Sequence, residues 1–320
     1  MSPLRLILAV VAALVAVFFG KFAIDHLKDT GMAWWGGWVA VVITWLAAWY
    51  VVNALSRVES RNRVIQFSLN IVIPLIFGIT LLFLWEVLVR GLQVSPVLLP
   101  PPSMIGARIV SSTDILIADF RQTFLTAVLI GYAIGCAAGF AIAIAIDRSP
   151  FLQSGLMPIG NMVSALPIVG IAPIMVMWFG FDWHSKAAVV VVMTFFPMLV
   201  NTIAGLAAST AIQRDLMKTY ASSYWQTLLK LRLPEALPFI FNALKINSTL
   251  ALIGAIVAEF FGTPIVGMGF RISTEVGRMN VDMVWAEIAM AALAGSAFYG
   301  LITLIERWAT AWHPSFRATR

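Results

Sequence analysis

Residues 124–146 read FLTAVLIGYAIGCAAGFAIAIAI, 23 positions without one charged side chain. The hydrocarbon core of a bilayer is ~30 Å thick and a helix crosses it with ~20 apolar residues, so this stretch reads as a membrane-spanning helix. Seven more stretches meet the same requirement, at 4–24, 32–55, 65–89, 156–181, 187–207, 236–261 and 284–305. The whole chain agrees. Of its 320 residues 61% are hydrophobic and 11% charged, against about 25% charged in a soluble protein, so it lacks the polar side chains to cover itself in water. Strands of ~10 residues with alternating polarity are absent, which argues against an outer-membrane barrel. The fold class is all-α, a polytopic transmembrane helical bundle of about eight spans. The first apolar run exceeds the ~7–15 residues of a signal peptide and no small-x-small cleavage site follows it, so it reads as a retained helix.

Lysine and arginine orient the bundle. With both termini in the cytoplasm, 12 basic residues fall inside and eight outside, and Lys245 lies within the seventh span; an excess of basic loop residues marks the inner side. Those loops account for the net charge of +6, so no nucleic-acid surface is needed to explain it. The single cysteine, Cys136, excludes an intrachain disulfide. His26, His184 and His313 lie far apart, without a partner at metal-ligand spacing. Two loops are long enough to hold structure. Residues 90–123 open with Ser95-Pro96-Val97-Leu98-Leu99-Pro100-Pro101-Pro102, extended because proline fixes φ and restricts the residue before it, and continue as a short amphipathic helix over 103–110 with Ser103 as its cap. Residues 208–235 repeat Leu216, Tyr220, Tyr224, Thr227, Leu228 and Leu231 at spacings of three and four, with Arg214, Lys218 and Lys230 facing elsewhere. An amphipathic helix therefore joins spans six and seven, either resting in the headgroup interface or docking a soluble partner.

The wording of this loop resembles the cytoplasmic loop of permease subunits in ATP-binding-cassette importers, whose pattern is E-A-A, three residues, G, nine residues, I-x-L-P. Counting back from Leu233-Pro234, Leu231 stands at the aliphatic position, Ala221 at the glycine and Asp215-Leu216-Met217 at the E-A-A. The acid, the aliphatic residue and Leu-Pro are kept in type, while the glycine and both alanines are replaced. SYWQTL at 223–228 and RLPEALP at 232–238 are similar to the nitrate/sulfonate/taurine-type branch of that family. Trp85-Glu86, Leu99-Pro100, Pro167 through Trp178-Phe179-Gly180, Lys186, Phe195-Phe196-Pro197 with Asn201-Thr202, and Ala258-Glu259-Phe260-Phe261-Gly262 with Gly267-Met268-Gly269 follow in the order this branch has. The resemblance covers about residues 65–320.

That resemblance implies a type I importer-like permease, with a six-span core (64–320, coupling loop 208–235) preceded by a two-span hairpin and linker (1–63). It implies a bacterial plasma (inner) membrane location and a homodimer joined by two cytoplasmic ATP-binding-cassette ATPase subunits, an extracytoplasmic substrate-binding protein and membrane lipid. ATP is used by the partner and no cofactor is bound by this chain. The sequence itself lacks the G-x-x-x-x-G-K-[ST] phosphate loop and a G-x-S-x-G nucleophile elbow, so no catalytic residue or metal ligand is assigned and the chain does not read as an enzyme. Asp215, Leu216, Lys218, Ala221, Tyr224, Trp225, Leu228, Leu231, Leu233 and Pro234 are the expected ATPase-coupling residues. Tyr224, Trp225 and Leu228 anchor the loop in the partner or in its own bundle. Asn161, Ser164, Asn201, Glu259 and Phe260 are the expected pathway or gate. Alanine at 221 predicts a negative φ, Pro234 and Pro238 mark the re-entry into span seven, Pro158, Pro167 and Pro173 predict a kinked fifth span, and Glu86 is expected to snorkel to the interface. The solute expected from the resemblance is a pyrimidine-like vitamin precursor, riboflavin, or a sulfonate- or nitrate-type anion. The alternative is a secondary transporter or channel not driven by ATP, against which stand the missing inverted repeat and the scarcity of mid-span charges; a non-transporting scaffold is the third class.

Overall fold

The computed structural model describes residues 3–30, 35–58, 62–149, 151, 167–262 and 265–312. Every regular element among them is a helix. The polypeptide falls into two compact units, Met1–Ser111 with Met279–Met283, and Ser112–Arg278 with Val284–Arg320.

In the first unit α1 (Pro3–Thr30) packs along α2 (Trp35–Ser56), and α3 (Arg63–Gly91) lies against both. Ala23, Ala40, Val41 and Val87 form their small core. Short side chains bring backbones close, which is how helices associate where lipid is as apolar as leucine. Near the end of α3 the structure departs from expectation: Glu86 is buried rather than snorkelled. Its carboxylate accepts the Arg90 guanidinium, the Ser103 backbone N–H at 2.9 Å and the Ser103 hydroxyl at 2.8 Å. Ser103 opens α4 (Pro102–Ser111), so Glu86, rather than Ser103 itself, satisfies the first turn of that helix, where exposed N–H groups and the dipole favour an anion.

In the second unit α5 (Thr113–Arg148) is one continuous run with a π-helical stretch over Arg121–Val128. It is followed by α6 (Ile168–Phe179), α7 (Trp183–Ala207), α8 (Ala211–Thr219), α9 (Tyr224–Glu259), α10 (Met268–Gly277) and α11 (Val281–Ala309), of which α11 belongs mostly to this unit. Helix α7 packs against α5 on one side and α9 on the other. Gly131, Gly135 and Gly139 of α5 meet Val190, Thr194 and Met198 of α7 at one four-residue step, so these two helices run parallel. A Cβ on Gly135 would fall on Thr194 Oγ1 and 2.8 Å from the Val191 carbonyl, hence the glycine. At mid-span the Asn247 amide of α9 donates to the Thr194 carbonyl at 2.7 Å and to Cys136 Sγ at 3.2 Å, tying three helices together. Lys245 of α9 pairs with Glu306 of α11 at 2.8 Å, which explains a lysine inside an apolar span.

Seven helices among the described residues are long and apolar enough to cross a membrane, α1, α2, α3, α5, α7, α9 and α11, where about eight spans were expected. The difference is the expected span at 156–181. Residues 152–166, with Pro158, lie outside the described residues, and the remainder is the 12-residue α6. Pro167 sits before it in an extended conformation (φ −69°, ψ 124°) and Gly180 ends it at φ 81°, so no single helix runs from 156 to 181. Proline without an N–H and with φ fixed starts a helix readily but does not continue one.

Candidate functional site

Helices α5 and α9 run antiparallel, because Thr123 meets Glu259 at one end and Asp147 meets Arg232 at the other. From Arg232 to Glu259 the frame is about 40 Å long at ~1.5 Å per residue. One end carries buried charge and the other a part-buried ion pair.

The first end holds the segment 208–235. Thr210 caps α8: its hydroxyl accepts the Gln213 N–H, and the Gln213 side chain accepts the Thr210 N–H at 2.7 Å. This capping box fixes where the helix begins. The helix ends in a Schellman turn, with Ser222 N–H on the Met217 carbonyl at 3.0 Å and Ala221 N–H on the Lys218 carbonyl at 2.8 Å. Ala221 therefore has φ +49°, which overturns the expectation of a negative angle. The turn needs the left-handed conformation whichever side chain occupies it, and alanine carries the steric cost that glycine avoids. Ala221→Gly should accordingly raise stability by about 1 kcal/mol, read as a higher melting temperature of the detergent-solubilised protein.

A second capping box, Ser223 with Gln226, starts α9 at Tyr224. The second half of the expected loop and span seven are thus one 36-residue helix. Pro234 and Pro238 lie about three and four turns into it rather than in the first turn expected of a re-entering span, and the turn over Leu228–Arg232 is π-helical, since Pro234 offers no N–H to the Lys230 carbonyl. Arg232 grips Asp147 at the end of α5 with two hydrogen bonds, 2.7 and 2.6 Å, and donates through Nε to the Leu206 carbonyl at the end of α7 at 2.9 Å. The Tyr224 hydroxyl donates to the same Asp147 carboxylate at 2.8 Å, and the Arg148 guanidinium lies 5.9 Å from the Tyr224 ring and 5.8 Å from the Trp225 ring, within cation–π range. Leu228 is fully buried in the main core. Tyr224 and Leu228 therefore anchor the segment in its own bundle, Leu231, Leu233 and Pro234 are half-buried, and Trp225 is exposed. On α8, by contrast, Ile212, Leu216 and Tyr220 are 83%, 56% and 76% exposed at a four-residue step. Asp215 and Lys218 are exposed beside them and pair at 3.0 Å.

The other end is built around Glu259, which is 2% exposed. One carboxylate oxygen accepts the Thr123 hydroxyl at 2.8 Å and the other the Gly269 N–H at 2.6 Å. Thr123 in turn accepts the Met268 N–H at 2.8 Å. Asp119 of α5 takes the Gly267 N–H at 2.7 Å and pairs with Arg271 of α10 at 2.8 Å; that bond and charge raise the Arg271 guanidinium above its already high ordinary pKa. Lys186, 1% exposed, donates to the Phe181 and Asp182 carbonyls at 2.6 and 3.2 Å. Gly267 has φ +144°, and a Cβ there would lie 2.8 Å from the Glu259 carboxylate, so only glycine lets the backbone reach the acid. Glu287 of α11 is fully buried beside the Asp119 carboxylate, and neither of its carboxylate oxygens accepts from a donor group among the described residues. Glu259, Asp119 and Thr123, with Arg271 of α10 itself, thus clamp the start of α10 against α5 and α9, in a setting where unpaired charge is costly.

Asn161 and Ser164 lie outside the described residues. Asn201 is half-buried, bonded to the Pro197 carbonyl at 2.8 Å, and Phe260 is 47% exposed, so Glu259 and Phe260 share one end while Asn201 lies toward the other. Asp147, Arg232, Asp119, Thr123, Lys186, Arg271 and Glu287 were not among the expected site residues. An ionisable side chain within an apolar span is a functional flag by itself, and Glu287 carried that signal.

Residues 131–317 match the family described as binding-protein-dependent transport system inner membrane component. The chain is 29% identical to the formylaminopyrimidine transport permease protein of Halalkalibacterium halodurans, over 75% of this chain and 95% of that protein. It is 28% identical to the riboflavin transport system permease protein of Chloroflexus aurantiacus, over 83% and 98%. To the taurine transport system permease protein of Escherichia coli it is 24% identical, over 80% and 96%.

Proposed function

Because the chain belongs to the binding-protein-dependent transport system inner membrane components, we propose that α8 is the element through which a separate ATPase moves it. The protein is the transmembrane permease subunit of an ATP-driven, binding-protein-dependent importer of small solutes. The observation that carries the assignment of α8 is its exposed stripe of Ile212, Leu216 and Tyr220 on a short helix that runs through one Schellman turn into α9. A short amphipathic helix laid in a groove of a partner buries such a stripe. Asp215 and Lys218 flank it and set the register of docking.

Movement of α8 reaches the bilayer by rigid connection. Tyr224 and Arg232 hold the start of α9 to Asp147, and Arg232 also holds the end of α7, so α5, α7 and α9 shift as one body. At the far end the Glu259 network keeps α10 and the segment before it in place. In this reading that network is the outer gate, Phe260 and Asn201 border the pathway, and the gate loosens when the frame tilts. Orientation follows the basic residues, with α8 and both termini in the cytoplasm. A second copy of the chain completes the pathway, with two ATPase subunits below and a substrate-binding protein outside. Residues 1–63 are an appended hairpin before a permease domain at 64–320; the relatives support this, since they are covered to 95–98% while covering 75–83% of this chain. The solute is a small planar nitrogen heterocycle of the pyrimidine type, the class named for the first of those relatives.

Charge reversal in an interface costs several kcal/mol. Asp215→Lys, by that reversal, and Ala221→Trp, by placing a bulky side chain on the positive-φ turn that joins α8 to α9, should leave the protein inserted in the membrane while lowering ATP-dependent uptake at least about tenfold. Unchanged uptake by both variants would remove α8 from the coupling path.

A further inference from the structure

Helices α1, α2 and α3 leave a cavity of about 460 Å³ between them. It is lined by small residues, Ala13, Ala16 and Gly20 of α1 with Ala48 of α2, and by the larger Ile76 and Phe83 of α3. The volume falls in the ~300–1,000 Å³ range of ligand sites. Apart from Lys21 its lining offers no free donor, because the hydroxyl hydrogens are already used: Thr44 donates to the Ala40 carbonyl at 2.8 Å and Thr80 to the Ile76 carbonyl at 2.7 Å. A polar solute would lose its hydration there without replacement.

All three helices are long and apolar enough to cross a membrane, so the cavity lies at bilayer depth. An unfilled void of this size forfeits dispersion contacts along its whole lining, and the medium available to fill it is hydrocarbon. Its length is informative too. On α1 the lining runs from Ala13 to Ile24, about 16 Å at ~1.5 Å per residue, which is half of a ~30 Å core and therefore the depth of one leaflet. The single charged residue of the lining, Lys21, stands toward one end of this slot and is exposed. Its long stem can lift the ammonium to headgroup level. Asp25, one turn further along α1, is exposed and does not line the cavity. A lysine inside an apolar span calls for a partner, and a slot of leaflet depth with a cation at its headgroup end fits one class of molecule. We propose that this cavity binds one anionic phospholipid, an acyl chain lying between α1, α2 and α3 and the phosphate on Lys21.

Native mass spectrometry of the full-length protein, delipidated in detergent and titrated with phosphatidylglycerol or phosphatidylcholine, tests this. The wild type should retain one tightly bound phosphatidylglycerol in preference to phosphatidylcholine. Lys21→Gln should keep the binding but lose roughly fivefold of that preference, the factor one surface cation supplies. Ala16→Phe, which fills the slot, should abolish the bound species for both lipids. Equal retention of the two lipids by the wild type, or unchanged preference in Lys21→Gln, overturns the headgroup assignment. Should Ala16→Phe express poorly, Ala48→Leu fills the same slot from α2, and an undiminished bound lipid in a folded filled variant overturns the site itself.

Discussion

Asp147→Ala is expected to destabilise the protein by about 3 kcal/mol, the low end of the range found when one partner of a buried ion pair is removed, because this pair is part-buried. Arg232 keeps only 18% of its side-chain surface exposed, and without Asp147 its guanidinium would have just the Leu206 carbonyl. The Tyr224 hydroxyl would lose its acceptor as well. Thermal unfolding in detergent reads the stability change. The double variant Asp147→Leu, Arg232→Met should recover most of it, because an apolar pair of similar volume often replaces a buried salt bridge at no net loss. Uptake need not recover with it: the apolar pair packs but does not hold α9 to α7 through a directed bond. Full stability together with full uptake in the double variant would mean that the ion pair is not the link between the ends of these helices.

The second large effect is expected at the opposite end. Glu259→Ala removes the acceptor of the Thr123 hydroxyl and of the Gly269 N–H, both buried, and hydrogen bonds to a charged group contribute about 1.5–3 kcal/mol each. A loss of about 3 kcal/mol or more should follow, concentrated where α10 begins. Limited proteolysis distinguishes this from global unfolding: the segment around 265–269 should be cut much faster in Glu259→Ala while the loop around α8 is cut at the wild-type rate. Glu259→Gln retains one acceptor oxygen and should show an intermediate effect. Equal cleavage at both places in Glu259→Ala would mean that the network holds the whole unit rather than this end.

The sequence read well where physics is local. Apolar runs of ~20 residues find membrane helices, and the seven such helices coincide with seven of the stretches expected, although α5 and α9 begin earlier than their apolar runs because polar first turns at Thr113 and Tyr224 continue the helix into the loops. The break at Pro167 shows in the sequence only as a proline, which predicts a kink, because apolarity on both sides masks the change to extended backbone. Position 221 is marked by its spacing from Leu233-Pro234, but its φ is not: alanine predicts a negative angle, whereas the Schellman bonds of Ser222 and Ala221 set a positive one. What stayed hidden was long-range. Glu259 meets Thr123 across 136 positions and Arg232 meets Asp147 across 85, separations that no spacing rule reaches. For the same reason Glu86 was assigned to the interface, its partner Ser103 being 17 residues away across a proline turn.

Coupling through α8 requires that a separate nucleotide-hydrolysing subunit hold this helix. A photoreactive side chain placed at position 216, in the assembled transporter within native membranes, tests it in one step. The account predicts a covalent adduct between this chain and the ATPase, whose yield changes when ATP is added. An adduct to lipid alone in a preparation that still transports, with no ATPase captured in either nucleotide state, would contradict it.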